Sequence, residues 1–428
     1  MLRLTFSAET CLAATLGHKV QDLEAWKAEL ARVVKQELRE TLLETSHAIH
    51  AEPELAFHEQ RACSRLVSQL TAAGFTVQSP VGGLETAFRA ELPGKGGPGP
   101  TIAILAEYDA LPDVGHGCGH NVIAAAALGA GLALARAGNQ FAGTLLLIGT
   151  PAEEGGGGKI LLAQAGVLRD ADAAMMVHPA TRNVVRRGSL ANSRVDLTFY
   201  GKAAHASSAP DRGVNALEAV IQTFVGINAQ RMHLRSDARI HGIITHGGDA
   251  VNIIPSRAAA RFSVRARDRA YQRTLVERLK RVAEGAASAF GARLEWVEQR
   301  GYANMIPNRA IAEAFGCNLQ ALGREVAEPR TNERMGSTDM GDISQVMPAV
   351  HAYLSIAPEG TPGHSLEFAA AAASEAGDAA VVHAAQALAM TAADLLAAPG
   401  LLDRAKAEFA QMLEAGRVAG WDGWLETR

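Results

Sequence analysis

The segment HGCGHN, residues 116 to 121, places a cysteine and a histidine two residues apart in a glycine-rich turn. Cys118 and His120 are of the residue types that bind zinc and similar ions. A Cys-x-His pair is more often incidental than functional, so by itself it indicates a metal site only weakly. The same pair could also act as a covalent nucleophile with its base.

Two adjacent carboxylates, Glu153 and Glu154, end an apolar run and precede four glycines and Lys159. Neighbouring carboxylates repel each other unless a cation or a proton lies between them. One of them could bind a metal while the other holds a water molecule, although a solvated turn would explain the pair equally well. The spacing of the glycines and Lys159 is not that of a phosphate-binding loop.

Two further histidines lie where a sheet or a loop would expose them. His178 ends the apolar run AAMMVHPA, and His364 lies in TPGHSLEF. The ends of several strands in an α/β protein converge at one edge of the sheet, where ligands bind. With Cys118, His120 and Glu154, these histidines would supply five ligands for one ion, or for two ions about 3.5 Å apart bridged by the cysteine and a water.

The elements that must position these residues change character along the chain. Apolar runs such as TIAILAEY and GTLLLIGTPAEE alternate with helices, a pattern typical of an α/β layer structure. From about residue 190, alternating strands and amphipathic helices follow the order β-α-β-β-α-β, which is ferredoxin-like. We therefore predict an α/β catalytic domain, 1–189 and 302–428, with an inserted ferredoxin-like domain, 190–301.

Composition excludes several classes of protein. The 428 residues carry 45 acidic and 41 basic side chains, without the basic excess of a nucleic-acid-binding protein. Four scattered cysteines do not make a disulfide framework, and no run of 18 uncharged apolar residues predicts a membrane span. We expect a cytoplasmic protein with a small-molecule substrate and no nucleic-acid or membrane partner.

Eight motifs in order resemble the M20 metallopeptidase family, and most closely its amidohydrolase branch, subfamily D. They are AEYDALP, GHGCGHN, PAEEGGGGK, MMVHPA, GKAAHAS, VNIIP, GSTDMGDIS and TPGHSLEF. IHAEPELAFHE, residues 49 to 59, matches the N-terminal helix end of that branch, and the resemblance spans residues 40 to 395.

The resemblance implies a role for each of these residues. Glu153 would be the general base, Glu154 and His364 would hold one metal, His120 and His178 the other, and Cys118 would bridge them. The broader family carries a metal-binding histidine where Glu107 stands, and His120 would substitute for it. Asp109 is then a candidate to orient a ligand, although a helix cap or turn residue would look the same.

The inserted domain is expected to contribute to the substrate site. The resemblance implies that His205 reaches a substrate oxygen, often across a dimer contact, where it would stabilise negative charge. Asn252 and Arg265 are candidates for binding a substrate carboxylate, with a solvated strand residue as the alternative for Arg265. Ser337, with Thr338 and Asp339 beside it, is expected to line the pocket.

These expectations combine into a hydrolase that cleaves a carbon–nitrogen bond in a small, carboxylate-bearing molecule, which we expect to be aromatic. A metal would lower the pKa of a bound water, and Glu153 would pass its proton to the leaving nitrogen. The default bond is an amide, in an N-acyl amino acid, a dipeptide or an aminobenzoyl-glutamate-type compound. The alternatives are an aryl-amine aminohydrolase of the 5-nitroanthranilate type, which releases ammonia, and an inactive binding or partner subunit. Zinc, manganese and cobalt all suit such ligands, with one or two ions per subunit.

Overall fold

The computed structural model describes residues 20–138, 141–330, 333 and 335–426. The chain forms two compact units. The first comprises the described residues of Met1–Arg187, Ile306–Arg334 and Asp342–Thr427, and the second comprises Gly188–Met305 with Met335–Gly341. This division differs by a few residues from the predicted boundaries. It also groups Met335–Gly341 with the second unit, whereas the sequence prediction assigned the whole of 302–428 to the catalytic domain.

A six-stranded sheet forms the centre of the first unit. Its strands are β1 (Thr76–Gln78), β2 (Phe88–Pro93), β3 (Thr101–Ala106), β4 (Thr144–Gly149), β5 (Ala173–Ala180) and β10 (Ala349–Ser355). Their order is β1-β2-β4-β3-β5-β10. Strands β4, β3, β5 and β10 pair in parallel, whereas β2 is antiparallel to both of its neighbours, β1 and β4. TIAILA and TLLLIG are buried at five of six positions each, which explains why they read as continuous apolar runs.

Helices surround this sheet. They are α1 (Val20–Val33), α2 (Arg39–Ala51), α3 (Gln60–Ala72), α4 (His120–Arg136), α5 (Gly158–Gln164), α8 (Arg309–Ala321), α10 (Leu366–Ala372), α11 (Glu375–Ala397), α12 (Pro399–Glu414) and α13 (Gly420–Glu426), with a π-helical turn at Val34–Leu38. The Ala-rich helices α4 and α11 contact each other closely, as small side chains permit. By length and composition α11 could cross a membrane, but 89% of its apolar window is buried in the protein, as in a core helix.

The second unit is a four-stranded antiparallel sheet with two helices. In chain order its elements are β6 (Ala191–Tyr200), α6 (Ala216–Gln230), β7 (Arg239–His246), β8 (Arg257–Ala266), α7 (Arg269–Phe290) and β9 (Arg293–Arg300). The strand order is β7-β8-β6-β9, and short α9 (Met340–Ile343) follows where the chain returns to the first unit. This is the predicted β-α-β-β-α-β arrangement, so the predicted fold class, α/β with an inserted ferredoxin-like domain, is confirmed.

Candidate metal centre

Three neighbouring parallel strands deliver the polar residues of the first unit to one edge of the sheet. β3 runs into Glu107 and Asp109, and β4 runs into Glu153 and Glu154. β5 carries His178 near its carboxyl end. Because β4 and β5 lie on opposite sides of β3, the crevice at this edge is where α/β sheets commonly bind ligands.

The loop before α4 places the cysteine and the next histidine beside those strand ends. Gly119 precedes the helix in a left-handed conformation, with φ of 76°, which glycine adopts without steric cost. His120 is then the first residue of α4. The carbonyl of Gly117 accepts a hydrogen bond from the His364 backbone N–H at 2.9 Å, which brings the segment TPGHSLEF to the same loop.

The five predicted ligands converge within the first unit. Cys118 Sγ lies 3.4 Å from His178 Nε2 and 3.5 Å from His364 Nε2. Glu154 Oε1 lies 3.3 Å from His364 Nε2 and 3.9 Å from His120 Nε2. Among the groups of possible ligand atoms that lie within 4.8 Å of one another, two consist only of the five predicted ligands: Cys118 with His120 and His178, and Cys118 with Glu154 and His364.

Asp109 orients two of these residues at once. Its Oδ1 accepts a hydrogen bond from His120 Nδ1 at 2.9 Å, and its Oδ2 accepts one from the Glu154 backbone N–H at 2.9 Å. The arrangement leaves His120 Nε2 facing the other ligands. Burial by itself would lower the pKa of His120, but Asp109 and Glu107 raise it well above its usual value. Burial by itself would raise the pKa of Asp109, but the neighbouring His120 outweighs burial and lowers this pKa below its usual value.

His178 presents the same nitrogen for a different reason. Its Nδ1 donates to the Pro179 carbonyl at 2.7 Å, which leaves Nε2 toward Cys118. Burial lowers the pKa of His178 to about 4, so the imidazole is neutral near pH 7 and can act as a ligand. Tyr353 and His351 on β10 lie behind it, with ring centroids 5.7 and 5.4 Å from the His178 ring.

The donor atoms fit a divalent metal. His120 Nε2 and Glu154 Oε1 are buried and make no hydrogen bond of good geometry; their nearest polar neighbours are other side chains of the cluster, an arrangement that a bound cation would stabilise. One thiol, three imidazoles and a carboxylate suit zinc and similar first-row ions. The carboxylate of Glu153, 7% exposed, lies within 4.8 Å of the ligand atoms of His120 and Glu154, where it could receive a proton.

One buried ion pair in this region was missed by sequence reasoning. Lys159 donates to Glu107 Oε1, and both side chains are fully buried. Glu107 Oε2, which has no hydrogen-bond partner, lies 3.3 Å from His120 Nε2. The sequence showed Lys159 as the last residue of a glycine-rich turn, and nothing in the turn indicated a partner 52 residues away.

The remaining predicted residues lie in the second unit. His205 is exposed, and its Nδ1 accepts hydrogen bonds from the backbone N–H groups of Ser207 at 3.3 Å and Ser208 at 3.2 Å. Asn252 is beside it, since its carbonyl accepts from the Ala206 N–H at 2.9 Å. Arg265 lies farther along the sheet, on β8, and Ser337 has a buried hydroxyl without a hydrogen-bond partner.

The largely parallel sheet, the inserted ferredoxin-like unit and the cysteine–histidine–carboxylate cluster are the features expected of a divalent-metal hydrolase. Residues 103–393 match the model of peptidase family M20/M25/M40, and the chain belongs to that family. It therefore acts on carbon–nitrogen bonds, as the sequence predicted.

The sequence similarity to known relatives covers nearly the whole chain. The chain is 38% identical to the mouse Xaa-Arg dipeptidase, over 91% of this chain and 93% of that protein. It is 29% identical to one of the subunits of the p-aminobenzoyl-glutamate hydrolase of Escherichia coli strain K12, over 88% of this chain and 93% of that protein. A solved structure of a dinuclear metal-binding M20 peptidase from Bacillus subtilis shares the fold, with a TM-score of 0.67, 22% identity, and coverage of 84% and 98%.

Proposed function

We propose that this enzyme hydrolyses the amide bond of small molecules that carry a free carboxylate, with dipeptides as the first class to test. The observation that supports this most directly is the position of Glu153, a buried carboxylate beside a cluster whose three imidazole Nε2 atoms face Cys118 or Glu154. The names of the mouse and Escherichia coli relatives, a dipeptidase and an aminobenzoyl-glutamate hydrolase, both describe amide cleavage in such molecules.

Cys118, His120, Glu154, His178 and His364 would hold the metal. Two sets that share Cys118 favour two ions over one. Zinc, manganese and cobalt all suit this donor set. A bound divalent ion would supply Lewis acidity, polarising the substrate carbonyl and making a water molecule more acidic.

Glu153 would move the proton. Its carboxylate takes a proton from the attacking water and returns it to the nitrogen that leaves, so one side chain acts first as base and then as acid. Asp109 accepts a hydrogen bond from the backbone N–H of Glu154, and this contact fixes the backbone immediately after Glu153.

The second unit would bind the substrate. With Nδ1 of His205 accepting two backbone N–H groups, the neutral ring carries its proton on Nε2, which can donate to a developing oxyanion. Asn252 lies next to His205 and could bind the substrate carboxylate. Arg265 and Ser337 are further candidates for that contact, in a part of the unit where no described acidic side chain hydrogen-bonds to either.

The decisive variant is Glu153→Gln. We expect it to bind metal with wild-type stoichiometry by elemental analysis while its kcat on dipeptides falls by about 10²-fold or more, because the amide cannot accept the proton. Glu85→Gln, at another glutamate of the same unit, serves as the matched control. Turnover of Glu153→Gln near the wild-type value would refute the assignment of the base.

A substrate panel distinguishes the bonds that this site could cleave. It contains dipeptides with a C-terminal arginine, N-acyl amino acids, aminobenzoyl-glutamate and substituted 2-aminobenzoates, each with zinc, manganese or cobalt. Release of an amino acid supports the proposal. Release of ammonia from an aromatic amine, without hydrolysis of any amide, would support the aryl-amine aminohydrolase reaction instead.

We also propose that the second unit associates with a second copy of itself, in a cytoplasmic enzyme. Among the described strands, β7 pairs only with β8, and Ile243 and Ile244 on β7 are 62% and 46% exposed. An apolar edge strand of this kind invites pairing. Replacing both isoleucines by lysine should shift the molecular mass by light scattering from dimer to monomer, and an unchanged mass would reject this edge as the interface.

A further inference from the structure

We propose that Glu59 is a positioning residue that holds the turn bearing Glu153 and Glu154. The inference rests on the proposed function of those two carboxylates. Glu59 is fully buried at the end of the segment that precedes α3. Its Oε1 accepts hydrogen bonds from the backbone N–H of Ala152 at 2.9 Å and of Phe57 at 3.0 Å.

The second oxygen of Glu59 ties the same carboxylate to the sheet. Thr86 donates its hydroxyl to Glu59 Oε2 at 2.7 Å, and Tyr108 donates its hydroxyl to the Thr86 carbonyl at 2.6 Å. Tyr108 follows β3, and Thr86 lies two residues before β2. Glu59 therefore connects Ala152, the residue before Glu153 and Glu154, to the segments that adjoin two strands of the sheet.

Glu59 is not occupied with capping its own helix, although it stands at the N-cap position of α3. Its side chain makes no cap hydrogen bond. Glu54 takes that role, because its carboxylate accepts from the backbone N–H groups of Arg61 at 2.9 Å and Ala62 at 3.0 Å. Complete burial of a carboxylate costs free energy, because the charged group loses its hydration. A buried carboxylate that does not cap its own helix is therefore expected to have a role elsewhere.

The turn that Glu59 contacts needs an anchor. Ala152 has a φ of 60°, a left-handed conformation that is unfavourable for a residue with a Cβ. Its carbonyl accepts hydrogen bonds from the N–H groups of Gly156 at 2.9 Å and Gly157 at 2.8 Å. With its N–H bound to Glu59, Ala152 is held on both sides, and the direction in which Glu153 leaves the turn is fixed.

Hydrogen exchange on the metal-free protein tests this positioning without any assumption about the reaction. In Glu59→Ala, amide exchange in the peptide 150–158 should accelerate roughly tenfold to a hundredfold, as expected for loss of a charge-assisted hydrogen bond. Glu59→Gln should restore most of the protection, because its amide oxygen can still accept from Ala152. Leu66→Ala, a buried apolar truncation in α3, is the control for lost stability alone.

The kinetic test uses metal-saturated protein and a dipeptide. We expect Glu59→Ala to lower kcat about tenfold or more with little change in KM, Glu59→Gln to recover most of kcat, and Leu66→Ala to keep it. If Glu59→Ala does not fold, Glu59→Asp replaces it, since the shorter side chain cannot reach both Ala152 and Thr86.

The outcomes separate the two ideas. Exchange in 150–158 that matches Leu66→Ala, or an unchanged kcat, would overturn the positioning role. Accelerated exchange in a protein whose wild type hydrolyses no amide would support the positioning role while rejecting the proposed function.

Discussion

Asp109→Asn isolates the residue that orients two metal ligands. In the wild type, the carboxylate accepts hydrogen bonds from His120 Nδ1 and from the Glu154 backbone N–H, both at 2.9 Å. Asparagine has nearly the same shape but offers one acceptor oxygen and one N–H donor group. The substitution therefore removes one of the two contacts while leaving the packing of this buried position intact.

Both orientations of the asparagine side chain damage the site. If its oxygen faces His120, its amino group opposes the Glu154 N–H, and two donors face each other. If its oxygen faces Glu154, its amino group donates to His120 Nδ1, and the imidazole proton moves to Nε2, the nitrogen offered to the metal. A lost hydrogen bond to a charged group is worth about 1.5–3 kcal/mol, which corresponds to a roughly ten- to hundredfold weaker metal affinity.

Competition with a chromogenic chelator measures this affinity. The control is Asp113→Asn, an exposed aspartate four residues away at φ of 63°, which asparagine tolerates. We expect Asp113→Asn to bind metal like the wild type and Asp109→Asn to bind it ten- to hundredfold more weakly. Equal affinities for the two variants would show that Asp109 does not orient the ligands, and this reasoning would be wrong.

Three other predictions concern the metal dependence of the activity and the contribution of two buried residues to stability. Dialysis against a chelator should abolish hydrolysis and a divalent ion should restore it, whereas activity that persists after elemental analysis shows metal loss would argue against a metal enzyme. Lys159→Met should lower the unfolding free energy of the metal-free protein by about 3–5 kcal/mol in urea, because it leaves Glu107 buried without its partner; a loss no larger than that of the exposed control Lys95→Met would contradict this. Burial lowers the pKa of His116 to about 3 from 6.5, so the unfolded chain takes up its proton first and stability falls as the pH drops below 6.5. His116→Phe should remove about 1.4 kcal/mol per pH unit of that slope between pH 6 and 4, and parallel stability curves would contradict the prediction.

Much of the fold was predictable because its signals are local. Buried parallel strands read as continuous apolar runs, and the alternating strands of the second unit read with a period of two. The grouping of Met335–Gly341 with the second unit has no such signal, since it depends on where a segment that lacks regular structure up to the start of α9 comes to lie. The sequence prediction therefore missed it.

The candidate site likewise has features that the sequence predicts and features that it does not. The sequence by itself determined which residue types were available, that Glu153 and Glu154 follow an apolar strand and that His178 lies near the end of another, and the order of the motifs indicated the family. Only the tertiary structure decided which imidazole nitrogen each histidine presents, that Asp109 serves two ligands, and that Lys159 meets Glu107. The two contacts of Asp109 and the Lys159–Glu107 pair join residues 11 to 52 positions apart through hydrogen bonds that the fold creates, and no local pattern of side chains encodes them.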